Sequence, residues 1–132
     1  MPNQPIYMPH PGHFICAKNC RFFLNTYING YIVSTVGEMV PDSIVRAIYR
    51  KSRGRETTLQ GDAEEREFGF EEIGCDRLYE TMVFKAKKSK HRCCPWEMCG
   101  GDNLDFNGYN NAVKAYRGHL KMVNKYQRKK RP

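Results

Sequence analysis

Alternating apolar and polar positions predict two neighbouring β-strands joined by a tight turn. The run from Arg21 to Ile28 is followed by Asn29-Gly30 and then by the run from Tyr31 to Gly37. Asn-Gly supplies the positive φ angles that a two-residue type I′ turn requires, and such a turn pairs Ile28 with Tyr31. Both faces of this hairpin carry apolar side chains, so we expect both faces to be covered.

A third strand is predicted from Arg77 to Ala86, where apolar and polar residues again alternate. If it lies antiparallel to the first hairpin strand, residues 87–99 come close to Cys16 and Cys20. If it lies antiparallel to the second hairpin strand, Cys75 approaches those cysteines instead, and residues 93–99 lie at the far end. The topology therefore decides which cysteines meet.

A long helix is predicted from about Tyr109 to Arg128, because apolar residues recur there at intervals of three or four. The predicted buried face consists of Tyr109, Ala112, Val113, Tyr116, Leu120, Val123 and Gln127. Gly118 interrupts this helix at a cost of about 1 kcal/mol relative to alanine, which indicates close backbone contact or an approaching ligand. The adjacent His119 is more often a core or capping residue than a catalyst.

These elements predict an α+β fold. A small antiparallel sheet built on the Asn-Gly hairpin packs with the long C-terminal helix and with a short helix from about Ile44 to Lys51, capped by Asp42-Ser43. A chain of 132 residues fits one domain. We therefore expect a single domain over residues 1–132, with a charged loop at about 50–72 and a basic tail at 127–132.

The first twelve residues are polar and proline-rich, without the basic segment and apolar run of a secretory leader. No apolar stretch approaches the roughly 20 residues that cross a bilayer. We therefore expect a soluble, cytoplasmic protein without a membrane partner.

Two clusters of side chains could ligate a metal. They are His10, His13, Cys16 and Cys20, and His91, Cys93, Cys94 and Cys99. Without a secretory leader, cysteines are expected as thiols or metal ligands. The spacings are three intervening residues between Cys16 and Cys20 and four between Cys94 and Cys99. Both are slightly wider than the common two-residue gap of zinc sites, although four intervening residues are still within the known range. The preferred Zn²⁺ quartet is Cys16, Cys20, Cys94 and Cys99, with His13 or Cys93 as substitutes. The alternative is that these cysteines are buried and only pack.

The formal net charge is +8, which favours an anionic partner such as nucleic acid or a nucleotide. Two strips of candidate anion-binding residues stand out. The first, on the polar side of the predicted long helix, is Lys114, Arg117, Lys121, Lys125 and Arg128. The second is Lys87, Lys88, Lys90 and Arg92, with Trp96 as a base-stacking candidate.

Three phrases carry a family resemblance: Ser34-Thr35-Val36-Gly37-Glu38, the later Tyr79-Glu80-Thr81-Met82-Val83-Phe84, and Gly118-His119 within the helix. Together they resemble a group of small uncharacterised bacteriophage and prophage proteins, and the resemblance covers most of the chain. It implies a virus-encoded accessory protein that acts in the bacterial cytoplasm.

No phosphate loop, nucleophile elbow or His-Glu-x-x-His pair occurs in the sequence, so we predict no enzyme. Three functions remain open. The first is a nucleic-acid-binding accessory protein, and an oligomer is compatible with it. The second is a phage inhibitor of host defence that sequesters a nucleotide signal or covers a host protein. The third is a minor virion component.

Overall fold

The structure, a computed structural model, describes residues 3–9, 20–39, 73 and 77–132. In chain order its elements are β1 (Ile6–Met8), β2 (Cys20–Ile28), β3 (Tyr31–Met39), β4 (Tyr79–Lys88), β5 (Trp96–Met98), β6 (Asp105–Tyr109) and α1 (Ala112–Gln127). An antiparallel sheet followed by a C-terminal helix confirms the α+β class. The predicted short helix and the predicted charged loop lie outside the described residues.

The six strands form one antiparallel sheet in the order β1-β2-β3-β4. Beyond β4 the sheet divides, because two short strands share the second edge of β4. β6 pairs with Tyr79–Val83 and β5 pairs with Ala86–Lys88. The long strand β4 therefore pairs with both short strands from the last third of the chain.

β2 and β3 are joined by Asn29 and Gly30, whose φ angles are 52° and 85°, and Ile28 lies opposite Tyr31. β4 pairs with β3, the second of these strands, so that Val33 lies opposite Val83. Of the two topologies that the sequence allowed, the structure has the second. As a result, the start of β2 and the end of β4 lie at opposite ends of the sheet.

α1 packs on one face of the sheet. Asn111 caps it, since its Oδ1 atom accepts hydrogen bonds from the amides of Val113 and Lys114 at 2.8 and 3.2 Å. The buried residues of the helix are Ala115, His119, Met122, Val123 and Tyr126. They contact a core from the hairpin and β4 that contains Ile28, Tyr31, Val33 and Val83. Within the described residues, no helix is long and apolar enough to span a membrane.

The predicted buried face of this helix is wrong by about one residue, or a quarter turn. Val113 and Tyr116 were expected inside, but their side chains are 55% and 50% exposed. The buried stripe is instead centred on Ala115 and His119. His119, for which the sequence favoured a core or capping role over a catalytic one, is the most deeply buried polar residue of the helix and is hydrogen-bonded inside the core.

The opposite face of the sheet carries a second core. Its core contains Met8, Tyr27, Ile32, Phe84 and Cys94. The Trp96 ring stacks on the Tyr27 ring, with centroids 4.1 Å apart and an interplanar angle of 8°. Side chains of the edge strands β1 and β5, such as Met8 and Trp96, thus pack with the hairpin on this face.

Candidate functional site

A groove of about 520 Å³ runs between α1 and β6. Its described lining comes from two short stretches of chain. From β6 these are Asp105, Phe106, Asn107 and Tyr109, and from α1 they are Lys114, Arg117, Gly118, Lys121, Met122 and Lys125. Four of the five residues of the first predicted basic strip thus line one recess, while Arg128 is the exposed C-cap of the helix.

The groove is formed because β6 pairs with β4 at the edge of the sheet and forms a wall next to α1. Asp105, Asn107 and Tyr109 lie opposite Val83, Thr81 and Tyr79 of β4, so they share the face on which α1 packs. Tyr109 approaches the helix at Gly118, where a Cβ atom would overlap the Tyr109 hydroxyl and ring. The close backbone contact predicted at Gly118 is therefore with this ring, which closes one end of the groove.

The electrostatics of the groove favour an anion. Lys114, Arg117 and Lys121 are exposed, and within the described part of the chain none of them has an ion-pair partner. Asp105 is the one acidic residue among the described lining, and the Nζ atom of Lys125 lies 2.6 Å from its Oδ2 atom. Three cationic side chains therefore remain to hold a ligand.

Asp105 is held tightly in its charged form. Burial alone would raise its pKa, but hydrogen bonds from Lys125, from the Phe106 amide and from the Tyr126 hydroxyl together lower it. The Tyr126 Oη atom lies 3.0 Å from Asp105 Oδ2. Burial, followed by this bond to Asp105, raises the pKa of Tyr126 to about 12. The Asp105 carboxylate thus positions Lys125 and links β6 to the helix through its bonds to Lys125 and Tyr126.

Beneath the groove lies a buried polar network centred on His119. The Nε2 atom of its ring lies 2.7 Å from Thr26 Oγ1, and its Nδ1 atom lies 2.7 Å from Thr35 Oγ1. Burial lowers the pKa of His119 to about 4, so the ring is neutral at physiological pH. With no exposed surface and both nitrogens occupied, this histidine fixes the helix to the sheet and does not reach a ligand.

The second predicted strip lies on a different part of the molecule, around the end of β4. Lys87 is partly neutralised, because its Nζ atom lies 3.6 Å from an oxygen of Glu97. The same carboxylate lies 3.5 Å from Nε2 of His91. Lys88, Lys90 and Arg92 are exposed. Trp96 is only half-exposed and one face of its ring contacts Tyr27, which leaves less of it for base stacking than expected.

The predicted zinc quartet is not assembled by the described residues. Cys20 lies opposite Met39 and packs against Val36, whereas Cys94 packs against Met8 and Phe84 at the other end of the sheet. This separation follows from the pairing of β4 with β3. Cys16, His10 and His13 lie outside the described residues. Among the residues that are described, no group of three or more His, Cys, Asp or Glu side chains could hold a metal.

A second recess, of about 350 Å³, lies on the opposite face of the sheet. Its described walls are largely apolar and include Met39, Met82, Phe84 and Met98. Its one ionisable residue in the described lining is Glu80, whose pKa is raised by burial against a smaller lowering by Arg77. Without a cation in this lining, the recess does not suit the anionic ligand that the net charge favours.

Sequence reasoning missed the β6 side of the groove. Asp105, Asn107 and Tyr109 alternate as strand residues do, but the strand is short and contains Gly108, which weakens the pattern. The close approach of Arg77 explains this glycine, since a Cβ atom there would overlap the Arg77 side chain. Comparison with protein-family models, with curated proteins and with solved structures found no match to this chain.

Proposed function

We propose that this protein binds nucleic acid through the groove between α1 and β6. The observation that carries the proposal is the row formed by Lys114, Arg117 and Lys121, three cations without carboxylate partners in the described structure, on the wall of a concave recess. Unpaired cations repel one another, and this repulsion is relieved when phosphates bind between them.

The spacing of this row suits a chain of phosphates. Lys114, Arg117 and Lys121 follow one another at intervals of three and four residues, so their positions rise by about 4.5 and 6 Å along the helix axis. Arg117 can donate two parallel hydrogen bonds to one phosphate, and the lysines act as point charges on its neighbours. The Tyr109 ring, which closes one end of the same recess, provides apolar surface for a base.

A second candidate function, sequestration of an anionic nucleotide, is favoured by the size of the recess. A volume of about 520 Å³ falls in the range of small-molecule sites. A phage accessory protein that removes a nucleotide signal in the bacterial cytoplasm needs only such a recess. The two functions differ in how affinity depends on ligand length. In sequestration a single nucleotide fills the site, whereas in nucleic-acid binding the affinity increases with the length of the oligonucleotide.

Charge reversal tests the proposal. Binding of a fluorescent single-stranded oligonucleotide is followed by anisotropy at low salt for the wild type and for the variant Arg117→Glu with Lys121→Glu. We expect this variant to lose tenfold or more in affinity, because two phosphate contacts become repulsive. The matched control is Lys88→Glu with Lys90→Glu, which changes the net charge equally at the second strip and is expected to lose only a few-fold.

Equal losses in the two variants would show that binding depends on net charge alone and would contradict a groove site. Thermal unfolding of both variants shows whether the fold is intact. Competition by unlabelled mononucleotides separates the two candidate functions, since displacement of the oligonucleotide at micromolar nucleotide favours sequestration. Resistance to such competition favours a polymeric ligand.

A further inference from the structure

We infer that the C-terminal tail, residues 128–132, extends the groove into a longer cationic track, and that the ligand is a single-stranded nucleic acid long enough to occupy both. This inference rests on the proposed function. It adds Lys129, Lys130 and Arg131 to the binding surface, together with Lys85 from β4.

The tail is held against the hairpin turn by backbone contacts. The Asn29 side-chain amide donates to the carbonyl oxygen of Lys129 at 2.6 Å, and the Tyr31 hydroxyl donates to the carbonyl oxygen of Lys130 at 2.7 Å. The Pro132 ring contacts Gly30, where a Cβ atom would lie 2.9 Å from its Cδ atom. These contacts use carbonyl groups and the proline ring, so they hold the backbone of the tail in place without using its cationic side chains.

The tail and the groove share a contact with the Tyr126 ring. The Nζ atoms of Lys125 and Lys129 lie 5.7 and 4.8 Å from the centroid of the same Tyr126 ring. Lys125 is the last cation of the groove, and the first lysine of the tail therefore contacts the same ring as it does. The Tyr31 residue that binds the tail lies opposite Lys85 in the sheet, and Lys85 is exposed.

The cations of the tail lack carboxylate partners in the described structure. None of Lys129, Lys130 and Arg131 forms an ion pair with a described carboxylate, and all three are exposed. A tail that served only to cover the hairpin turn would need its carbonyl groups and Pro132, but not three consecutive cations. The combination of an anchored backbone and positive charge that no described carboxylate neutralises indicates a surface for phosphates.

The extent of the track indicates a polymer. Lys114 of the groove and Arg128, the first residue of the tail, are fourteen positions apart and therefore about 21 Å apart along the helix axis. A mononucleotide would occupy only part of such a row. The recess is concave and lies between a helix and a strand, which suits one flexible strand with its bases turned inward better than the convex cylinder of a duplex.

The test compares oligodeoxythymidines of four, eight and sixteen nucleotides, within the range of known single-strand sites. Anisotropy is measured for the wild type and for the variant Lys129→Gln with Lys130→Gln and Arg131→Gln, which retains the backbone contacts. We expect the wild type to gain at least tenfold in affinity from four to sixteen nucleotides. The tail variant is expected to bind four nucleotides within twofold of the wild type and to lose most of that gain.

The slope of the logarithm of affinity against the logarithm of salt concentration should also fall by about 2 in this variant with the longest oligomer, since three phosphate contacts are lost. A second variant, Tyr31→Phe, removes the bond to the Lys130 carbonyl without changing the charge. It is expected to lose two- to threefold with the longest oligomer and nothing with the shortest.

The outcomes separate this inference from the proposed function. Absence of binding by the wild type to every oligomer at low salt would overturn both. Affinity that no longer increases beyond four nucleotides, an unchanged length gain in the tail variant, or equally tight binding of a duplex of the same length would overturn the track alone.

Discussion

The Nδ1 atom of His119 lies 2.7 Å from Oγ1 of Thr35, and that same hydroxyl oxygen lies 2.6 Å from Oγ1 of Thr81. The other ring nitrogen, Nε2, is hydrogen-bonded to Thr26 of β2. His119 of α1 is therefore bonded directly to β2 and β3, and through Thr35 it is linked to Thr81 of β4. A neutral imidazole donates through one nitrogen and accepts through the other, which the hydroxyls of Thr26 and Thr35 can satisfy. This network holds the helix whose outer side carries the groove cations.

The unfolding free energy should depend on the protonation of His119. Its pKa is about 4 in the folded protein and about 6.5 in the unfolded chain, so between these values the unfolded chain binds more protons. Stability from this group is therefore complete above about pH 6.5 and falls as the pH drops towards 4. We expect a loss of about 2 kcal/mol between pH 7 and pH 5, measured by urea unfolding.

The variant His119→Gln is the control for this dependence, because glutamine can donate and accept hydrogen bonds but does not titrate. The difference in unfolding free energy between wild type and variant should shrink as the pH falls from 7 to 5. Carboxylates contribute equally to both proteins and cancel in this difference. A difference that stays constant over this interval would contradict the assignment of a neutral, buried histidine.

Gly118→Ala should destabilise the protein, although alanine is the better helix former by about 1 kcal/mol. The added Cβ atom would overlap the Tyr109 ring, and relieving such overpacking costs about 1 to 3 kcal/mol. The same substitution made in a Tyr109→Ala background should instead be stabilising. Urea unfolding of the four proteins gives the coupling energy, and a substitution with the same sign in both backgrounds would show that Tyr109 does not set the requirement for glycine.

Much of the sheet could be predicted because its signals are local. The Asn-Gly pair, the alternation of apolar residues and the apolar spacing of the C-terminal segment each lie within a short window of sequence. The helix face could not be placed correctly, because His119 is buried through hydrogen bonds to threonines far away in the chain. Hydropathy alone assigns such a residue to the surface.

The candidate site was predictable only in part, for the same reason. The periodic cations of α1 are visible in the sequence, but the opposing wall is a strand of five residues whose pairing with β4 depends on tertiary structure. The metal prediction depended on which hairpin strand β4 joins, and the sequence left both choices open. The pairing with β3 moved Cys94 away from Cys20.

The four described cysteines should differ in reactivity. Cys93 and Cys99 are exposed, whereas Cys20 and Cys94 are buried. Burial, followed by a hydrogen bond with Cys93, raises the pKa of the Cys94 thiol to about 11, so very little thiolate is present at pH 8. We expect iodoacetamide to label Cys93 and Cys99 in the native protein and Cys94 only after unfolding. Peptide mass mapping locates the label, and labelling of Cys94 at the rate of Cys99 would contradict its burial.

Asp105→Asn should increase the affinity of the groove for oligonucleotides while lowering stability. The substitution removes the negative charge from the described lining and releases Lys125, whose Nζ atom lies 2.6 Å from the carboxylate. An additional cation in the groove should raise affinity several-fold at low salt. The slope of the logarithm of affinity against the logarithm of salt concentration should become steeper by the amount expected for about one further phosphate contact.

Loss of the charged acceptor for Lys125 and Tyr126 should cost about 1 kcal/mol of unfolding free energy. The pKa of Tyr126 should also fall below its present value of about 12, since part of that shift comes from Asp105. Anisotropy, urea unfolding and ultraviolet titration of tyrosine measure the three effects.

Glu97→Gln, which releases Lys87 at the second strip, is the matched control and should leave affinity within twofold of the wild type. If the control raised affinity as much as Asp105→Asn does, nucleic acid would be bound by the overall charge of the protein and not by the groove.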